Sequence, residues 1–477
     1  MMRLEKLFKP KSMAVVGISK ANPLSPGRII FIKNFFEMDV EVYGIHPDGG
    51  EIEGVNLYTR LEDLPKIPDL LVIAIPANAT LDYVQQCADL KIPGCIIISG
   101  GFAEIGKEGI LRQEKLVKIS TDNDIAVLGP NCIGVYSPPL LDTIFMPTER
   151  ITRPPKGTVA LISQSGGVLV DQFFHKFSQI NIGVSTAVSI GNRAVIDEAM
   201  LLEYFSKYDK ETLNIAFYLE GFKATKSRKF LEMAKESDDT VITYFGGLSK
   251  QGKKATQSHT ASLSGNDKIL SAALKQFLIL QPFTEMELLT YLKLLDILSH
   301  KKKPFNPDIV VYGRVAILSI SGGHGVICAD LLEKYGLIAL DFTEKEKSEM
   351  MELVNPVARN IATFNNPIDL TGSAKDEDIE NLIRYLSKID RIECIIVLIL
   401  PYTPSISFQI GRRIANIVTI EKKPLVCFIP YIPKYGSIIE ALELSNIPVF
   451  HSIEESVQAV LALRKITRIN KIKRGSI

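Results

Sequence analysis

The chain has 477 residues, of which 46% are apolar and 23% charged, so it is long enough for about three globular domains and is neither disordered nor fibrous. Its 55 lysines and arginines nearly balance its 54 aspartates and glutamates, which excludes a global positive field for binding nucleic acid or an anionic membrane. The longest apolar run, residues 394–400, is far shorter than the roughly 20 residues of a membrane span. The first residues lack the pattern of a signal peptide, and we expect a cytoplasmic protein.

The first part of the chain alternates short apolar runs with stretches of helical period. Such runs, each followed by glycine, proline or serine, are typical of parallel strands that are buried on both faces. The predicted strands are residues 13–16, 70–75, 95–99 and 125–128, and the predicted helices are residues 29–38 and 80–90. This alternation predicts a doubly wound α/β sheet, and we place the first domain at residues 1–140.

Two further α/β domains are predicted after a proline-rich linker. The linker covers residues 137–157, because proline suits neither a helix interior nor a central strand. The second domain, residues 155–300, has predicted strands at 158–162, 183–189, 214–219 and 240–245 and a long helix at 268–298. The third, residues 310–465, has predicted strands at 314–319, 394–400, 424–428 and 448–451. The openings of these two domains, ALISQSGGVLV and AILSISGGHGV, suggest an internal duplication.

Turns rich in glycine, proline and serine follow the strands of the first domain. The first turn, GISKANPLSPGR, carries Gly17, Ser19, Gly27 and Arg28 at a helix start, where free backbone amides favour a phosphate. AIPA (74–77), SGGF (99–102) and GPN (129–131) follow later strands, and ligands of open α/β sheets bind at this edge. These turns predict a ligand crevice without naming the ligand, although glycine turns also serve packing alone. A nicotinamide-dependent dehydrogenase is a weaker alternative because GxGxxG is missing.

Two similar loops open the second and third domains. In each loop serine hydroxyls and the amides of a helix start can hold an oxyanion, and two such helix starts would suit one phosphate held between them. The alternative is a glycine turn with a serine cap. The residues are Ser163, Gln164, Ser165, Gly166 and Gly167 in SQSGG, and Ser321, Gly322 and Gly323 in SISGG.

The segment SHTASLSG, residues 258–265, places His259 among small polar neighbours that would let a phosphoryl group approach. A neutral imidazole can accept and release a phosphoryl group if a carboxylate holds its other ring nitrogen. Glu220, at the end of AFYLEG, is the candidate carboxylate, although a charged residue there could also be a solvated strand end. His324 could touch ligand from the SISGGHG loop. Cys132 in GPNCIG is a weak candidate nucleophile, since scattered cysteines without metal spacing are usually buried thiols.

The chain resembles the alpha subunit of ADP-forming acetyl-CoA synthetases, in the superfamily that includes succinyl-CoA synthetase. The matching segments run in family order from about residue 7 to about residue 372: LFKPKSMAVVG, IPAN, GGFAEIG, GPNCIG, SQSGG, SIGNRAVIDEA, YLEG, SHTASLSG, SGGHGV and NPIDLTG. The resemblance implies a Rossmann-like CoA-binding domain at residues 1–140 and two flavodoxin-like domains at 155–300 and 310–465. It implies that His259 is phosphorylated, that Glu220 orients it and that the two loops bind phosphate. The implied CoA contacts are Gly17, Ser19, Gly27, Arg28, Pro47, Ile75, Pro76, Ser99, Gly100, Gly101 and Asn131.

The resemblance also implies a reaction and a partner. Acyl-CoA, ADP and phosphate would be converted into a free acid, CoA and ATP through an acyl phosphate and a phosphohistidine. The family's nucleotide is bound by an ATP-grasp module, and because no segment here is left to form one, we expect a separate beta subunit in an assembly with two copies of each chain. CoA or acyl-CoA and phosphate would bind this chain, whereas ADP, ATP and Mg²⁺ would belong mainly to the partner. No metal site is predicted in this chain.

Three departures from the family pattern favour an alternative function. After the second strand the family usually has asparagine, proline and lysine, whereas this chain has His46, Pro47 and Asp48. Family members also tend to carry a lysine and an arginine near the positions of Phe245 and Leu248. The alternative is a catalytically silent paralogue that binds or senses CoA or acts as a scaffold.

Overall fold

The computed structural model describes residues 2–254, 266–299 and 303–475. The chain forms two compact units, Met1–Phe283 and Thr284–Ile477, which are called the first and second unit below. In the described ranges no helix is both long and apolar enough to cross a bilayer.

The first sheet of the first unit has seven strands in the order β3-β4-β2-β1-β5-β6-β7. Without β3, which pairs antiparallel to β4, the strands are parallel and follow the Rossmann order 3-2-1-4-5-6. The strands are β1 (Ser12–Val16), β2 (Glu41–Ile45), β3 (Gly50–Ile52), β4 (Val55–Tyr58), β5 (Leu70–Ile73), β6 (Gly94–Ile97) and β7 (Ala126–Leu128). The helices are α1 (Met2–Phe8), α2 (Pro26–Glu37), α3 (Ala77–Leu90) and α4 (Lys107–Asp122).

The second sheet, also in the first unit, has six strands in the order β13-β12-β10-β11-β8-β9. Its four parallel strands have the order 2-1-3-4 of a flavodoxin-like fold, and β8 pairs antiparallel to β11 and to β9. The strands are β8 (Val135–Ser137), β9 (Leu141–Asp142), β10 (Lys156–Ser163), β11 (Val184–Ser189), β12 (Asn214–Leu219) and β13 (Thr240–Phe245). A π-helical segment, Val168–Phe174, leads into α5 (His175–Gln179), and α6 (Glu198–Lys207), α7 (Ser227–Glu236) and α8 (Asp267–Gln276) follow.

The second unit contains the third sheet, in the order β15-β14-β17-β18-β19 with β16 paired to β14. This is the flavodoxin-like order 2-1-3-4-5. The strands are β14 (Arg314–Ser319), β15 (Ile338–Ala339), β16 (Ile368–Asp369), β17 (Cys394–Leu398), β18 (Leu425–Phe428) and β19 (Val449–Phe450). The helices are α9 (Glu285–Ser299), α10 (Gly322–Lys334), α11 (Glu344–Glu352), α12 (Pro356–Ile361), α13 (Asp376–Ser387), α14 (Ile410–Glu421), α15 (Gly436–Glu443) and α16 (Ile453–Lys473). The described residues also form 3-10 turns at Leu61–Asp63, Ala103–Ile105, Pro307–Ile309, Thr371–Ser373 and Pro433–Tyr435.

The α/β fold class is confirmed, whereas two local predictions were wrong. The helix predicted at 268–298 is two helices, because Leu280 pairs with Ile242 beside β13 and Pro282 cannot continue a helix. The linker predicted at 137–157 instead contains β9, the last residue of β8 and the first two residues of β10. The segment thus adds an antiparallel edge to the second sheet.

A buried ion group fastens α2 to β9. The Lys33 ammonium lies 2.9 Å from the Asp142 carboxylate, which also bonds the Arg153 guanidinium. Burial lowers the pKa of Lys33 to about 8, although the charge of Asp142 opposes this shift. The α2 helix of the first sheet is therefore joined to the second sheet by charges with little access to water.

Candidate functional site

The carboxyl ends of β10 and β12 meet where the strand order of the second sheet reverses, which is where ligands of such sheets bind. Gln164, just after β10, bonds the neighbouring strand twice. Its backbone amide donates to the Tyr218 carbonyl at 2.9 Å, and its side-chain oxygen accepts from the Glu220 amide at 2.9 Å. The SQSGG loop and the turn that carries Glu220 are therefore fixed relative to each other.

The Glu220 side chain is only 9% exposed. Its Oε2 atom is buried and accepts no hydrogen bond from any residue that the structure describes. Burial raises the pKa of Tyr218 to about 12, and the charge of Glu220 adds to this effect. Because an unpaired buried carboxylate oxygen is costly, Glu220 is well suited to accept a bond from a ligand or a mobile side chain. His259, its predicted partner, lies outside the described residues.

The SQSGG loop closes on itself before the helical segment 168–174. The Ser163 hydroxyl is fully buried and donates to the Ser165 carbonyl at 2.6 Å, so it shapes the loop. A Cβ atom at Gly166 would lie 2.4 Å from the Ile133 side chain, so only glycine allows this contact with the GPNCIG turn. Gly166 and Gly167 are the first helical residues, where backbone amides lack intrahelical acceptors. The loop can thus present amides to an anion.

A cavity of about 460 Å³ lies over this loop, with polar and apolar walls. It brings the predicted phosphate residues 164–167 together with Asn131 from the predicted CoA contacts. Its lining residues are Ile98, Ala103, Glu104, Asn131, Cys132, Ile133, Phe145, Gln164, Ser165, Gly166, Gly167, Gly191, Asn192 and Arg193. The cavity therefore joins loops from the first and second sheets.

The other predicted CoA contacts follow β1, β2, β5 and β6 at the carboxyl edge of the first sheet. Gly17 has φ +99°, and a Cβ there would lie 2.2 Å from the Ala74 carbonyl oxygen, so the turn after β1 requires glycine. A Cβ at Gly27 would lie 2.4 Å from the Gly17 carbonyl oxygen, so the first turn of α2 packs directly against the turn after β1. Arg28 pairs with Glu53 at 3.1 Å. The remaining residues on this edge are Ser19, Pro47, Ile75, Pro76, Ser99, Gly100 and Gly101.

Two of the residues that depart from the family pattern lie in different environments, one exposed and one in the core. The Asp48 side chain is 84% exposed, and a Cβ at nearby Gly50 would lie 2.7 Å from the Lys20 ammonium. Lys20 therefore supplies a cation beside the turn that lacks the expected lysine. Phe245 is 5% exposed and packs against Phe222 with 5.3 Å between ring centroids, so it belongs to the core.

The SIGNRAVIDEA segment contains a buried ion pair that was not predicted from the sequence. Arg193, with φ +57°, donates to Glu198 at 3.1 Å and to the Gly221 carbonyl at 2.8 Å, next to Glu220. The Lys223 ammonium donates to the Arg193 carbonyl at 2.6 Å, and burial lowers the pKa of Lys223. A cation held by these bonds thus lines the cavity, and the charged residue in the SIGNRAVIDEA segment was the signal that the sequence offered.

Glu104 and Asn192 form a second missed group at the cavity. Burial favours a higher pKa for Glu104, but hydrogen bonds from Asn192 and from the amides of Gly101 and Phe102 prevail and lower it. The Asn192 amide donates to Glu104 at 2.5 Å, and the Gly101 amide donates to the same carboxylate at 2.5 Å. Glu104 is therefore ionised at neutral pH.

The SISGG loop lies in the second unit. The Ser319 hydroxyl donates to the Ser321 carbonyl at 2.7 Å, as Ser163 does to Ser165 in the first loop. His324 Nδ1 lies 3.0 Å from the Ser321 hydroxyl. Gly322 and Gly323 begin α10, and a Cβ at Gly322 would lie 2.8 Å from the Asp369 carboxylate. The loop is thus shaped like SQSGG, with a carboxylate beside its helix start.

Cys132 is unsuited to nucleophilic chemistry. Burial raises the pKa of its thiol to about 12, and Sγ donates to the Ile97 carbonyl at 3.3 Å. Within the described ranges no group of three or more histidine, cysteine, aspartate or glutamate side chains is placed to hold a metal ion.

Comparison with known proteins agrees with this architecture. Residues 11–138 match the family model of a CoA binding domain, and residues 156–295 match that of a succinyl-CoA ligase like flavodoxin domain. The fold and the site thus define a CoA ligase with a Rossmann-like domain and flavodoxin-like ligase domains.

Full-length relatives narrow this class. The alpha subunits of acetate–CoA ligase [ADP-forming] I and II from Pyrococcus furiosus are 34% and 32% identical to this chain, over 97% and 96% of it and 98% and 97% of their own lengths. The dinucleotide forming acetyl-coenzyme A synthetase 1 of Ca. Korarchaeum cryptofilum, solved with phosphate and ADP, matches with a TM-score of 0.85 and 28% identity, covering 100% of this chain and 99% of that one. The chain belongs to the ADP-forming acetate–CoA ligase family. The comparisons support ligase function and not the silent alternative.

Proposed function

We propose that the chain is the acyl-transferring subunit of an ADP-forming acyl-CoA ligase that works through a phosphohistidine at His259. Phosphate attacks the thioester carbonyl of acyl-CoA, which releases CoA and forms an acyl phosphate. The phosphoryl group then passes to the imidazole, which releases the free acid, and from there to ADP, which gives ATP. Each step is reversible.

The observation that carries this proposal is the buried Oε2 atom of Glu220, which has no hydrogen-bond partner among the described residues. An imidazole attacks phosphorus through one ring nitrogen while the other keeps its proton and gains positive character. A carboxylate that accepts that N–H stabilises the charge and fixes the ring tautomer. Gln164 links the Glu220 backbone to the SQSGG loop at 2.9 Å, so the acceptor and the predicted phosphate site are held together.

The cavity supports the substrate assignments. The amides of Gly166 and Gly167 would hold the phosphoryl oxygens at a helix start, and Arg193, which also lines the cavity, would add positive charge. Asn131, which lines the cavity, would bind CoA together with the turn of Ser99–Gly101, whose neighbours Ile98 and Ala103 also line it. The SISGG loop, with Ser321, Gly322 and Gly323, is proposed as a second phosphate-binding loop.

The nucleotide is proposed to bind a separate partner. The Pyrococcus relatives are named as alpha subunits. The match to the Archaeoglobus fulgidus acetate–CoA ligase [ADP-forming] I, in contrast, covers 99% of this chain but only 65% of that protein. The additional part of that protein suggests an ATP-grasp module that is fused there. We propose a beta subunit that binds ADP or ATP with Mg²⁺, in an assembly with two copies of each chain.

The decisive test is phosphorylation of the purified chain, mixed with its ATP-grasp partner, Mg²⁺ and labelled ATP. We expect an acid-labile label on the wild type and none on His259→Asn. His175→Asn, on α5, is the matched control and should keep the label. A wild-type chain that stays unlabelled with a competent partner would refute the relay.

A further inference from the structure

Two turns that border the cavity, and the helix α4, are bonded by the single side chain of Asn192. Asn192, in the loop that follows β11, donates through Nδ2 to Glu104 at 2.5 Å and to Gln113 at 3.1 Å. Its Oδ1 accepts from the Asn131 amide at 3.3 Å, and its backbone amide donates to the Pro130 carbonyl at 2.9 Å. The side chain thus bonds the GGFAE turn, α4 and the GPN turn at once.

The backbone beneath Asn192 is equally constrained. Gly191 has φ +53°, and a Cβ there would lie 2.3 Å from the Pro130 carbonyl oxygen, so this loop packs directly on the GPN turn. The next residue, Arg193, is held by Glu198 and by the Gly221 carbonyl. The backbone of Asn192 is therefore fixed by its neighbours in the loop after β11, and its side chain extends toward the loops of the first sheet.

Glu104 carries this constraint to the predicted CoA turn. One oxygen accepts from Asn192, and the other accepts from the amides of Gly101 at 2.5 Å and Phe102 at 3.1 Å. Each carboxylate oxygen thus bonds a different domain. If the contact from Asn192 is lost, the SGGF turn is still shaped by Glu104 but is no longer aligned with the phosphate loop.

We propose that Asn192 is a positioning residue that aligns the SGGF turn, and with it bound CoA, with the phosphate loop at Gly166. This inference rests on the proposed function, because it takes the SGGF turn as a CoA contact. Asn192 acts through Glu104, so its loss should impair CoA binding while phosphorylation of His259 from ATP, which needs no CoA, continues.

The primary measurement is calorimetric titration of CoA into the assembled complex. Asn192→Ala is expected to weaken CoA binding about tenfold, since one hydrogen bond to a charged group is lost. Labelling of the chain by ATP should stay within about twofold of the wild type. CoA binding equal to that of the wild type would overturn the proposal, and so would a parallel loss of labelling, which would mean general unfolding of the unit.

A variant that introduces a charge at position 192 makes CoA binding depend on pH, which a purely structural role of Asn192 would not do. Asn192→Asp places a second carboxylate against Glu104, which raises the pKa of one of the two. Below that pKa a shared proton restores the contact, so CoA binding should recover as the pH is lowered. A charged side chain of α4, Arg112, also faces this turn, because it bonds the Gly101 carbonyl, and it pairs with Glu108 at 2.6 Å. A pH profile parallel to that of the wild type would overturn the proposal.

Gln85→Glu is the matched control for charge. Gln85 donates to Asp89 at 3.0 Å on the exposed face of α3, so the substitution opposes two carboxylates away from the cavity. It should leave CoA binding and its pH dependence unchanged. A wild-type chain that binds CoA but forms no phosphohistidine would remove the proposed relay, whereas the titration would still decide the role of Asn192.

Discussion

Replacement of Glu220 by glutamine should separate catalysis from stability. The substitution keeps the shape of the side chain but removes the charge from a group that is 9% exposed. A hydrogen bond to a carboxylate contributes about 1.5–3 kcal/mol and a neutral one about half of that. The loss of about 0.8–1.5 kcal/mol from the transition state predicts roughly 4- to 13-fold slower phosphorylation of His259.

The thermal stability of Glu220→Gln, unlike its phosphorylation rate, should not fall. The buried Oε2 atom has no acceptor role among the described residues, so a neutral amide lowers the cost of burying it. We expect the unfolding temperature of Glu220→Gln to equal or exceed that of the wild type, as is common where an active site is costly to the fold. Rapid-quench labelling with ATP and the partner measures the rate, and scanning calorimetry measures the unfolding temperature.

Glu393→Gln is the control with the opposite expectation. Glu393 is also buried, but its Oε2 accepts from the amides of Tyr312 at 2.8 Å and Gly313 at 2.6 Å. Its replacement should lower the unfolding temperature and leave the labelling rate unchanged. Wild-type labelling by Glu220→Gln, or a loss of stability as large as that of the control, would refute the reasoning.

Two further predictions concern buried titratable groups. Asp142→Asn leaves the Lys33 and Arg153 cations without their carboxylate and should cost about 3–5 kcal/mol at pH 7. The folded pKa of Lys33, about 8 in the wild type, lies below its unfolded value and would fall further in the variant. The unfolded variant therefore binds more protons than the folded one, so its stability deficit relative to the wild type should shrink as the pH rises toward 9. Calorimetry of both proteins from pH 6.5 to 9 tests this, and a deficit that grows with pH would contradict it. Cys132, with a pKa of about 12, should resist iodoacetamide at pH 8, and its rapid alkylation, followed by mass spectrometry, would show that the thiol is neither buried nor protonated.

The sequence predicted the central strands because their chemistry is local. Runs of apolar residues closed by glycine or serine predicted β12 (Asn214–Leu219), β13 and β14 to the residue. The break between α8 and α9 was missed although Pro282 marks it, because the segment stays apolar; the pairing of Leu280 with Ile242 shows that the segment is extended. Tertiary contacts of this kind leave no periodic trace.

The candidate site was predicted in part for the same reason. Gln164 and Glu220 belong to motifs that end neighbouring strands, so their proximity follows from sheet topology. Asn192 and Glu104 are 88 positions apart, and each would pass for a solvated loop residue in the sequence. Their contact depends on how the first sheet meets the second, which no pattern within one domain contains.

The two serine and glycine loops differ in a way that bears on how such enzymes diversify. By strand register Ser163 lies beside Tyr218, and Ser319 lies beside Leu398, so the counterparts of Gln164 and Glu220 in the second unit are Ile320 and Leu400. Both are buried and apolar, with 3% and 8% exposure. The amide and the carboxylate are thus missing together. A second relay could not be recovered there by one substitution, because an isolated buried carboxylate without its amide support would be a burden with no benefit. The amide and the carboxylate would therefore have to be introduced together before the second loop could support a relay.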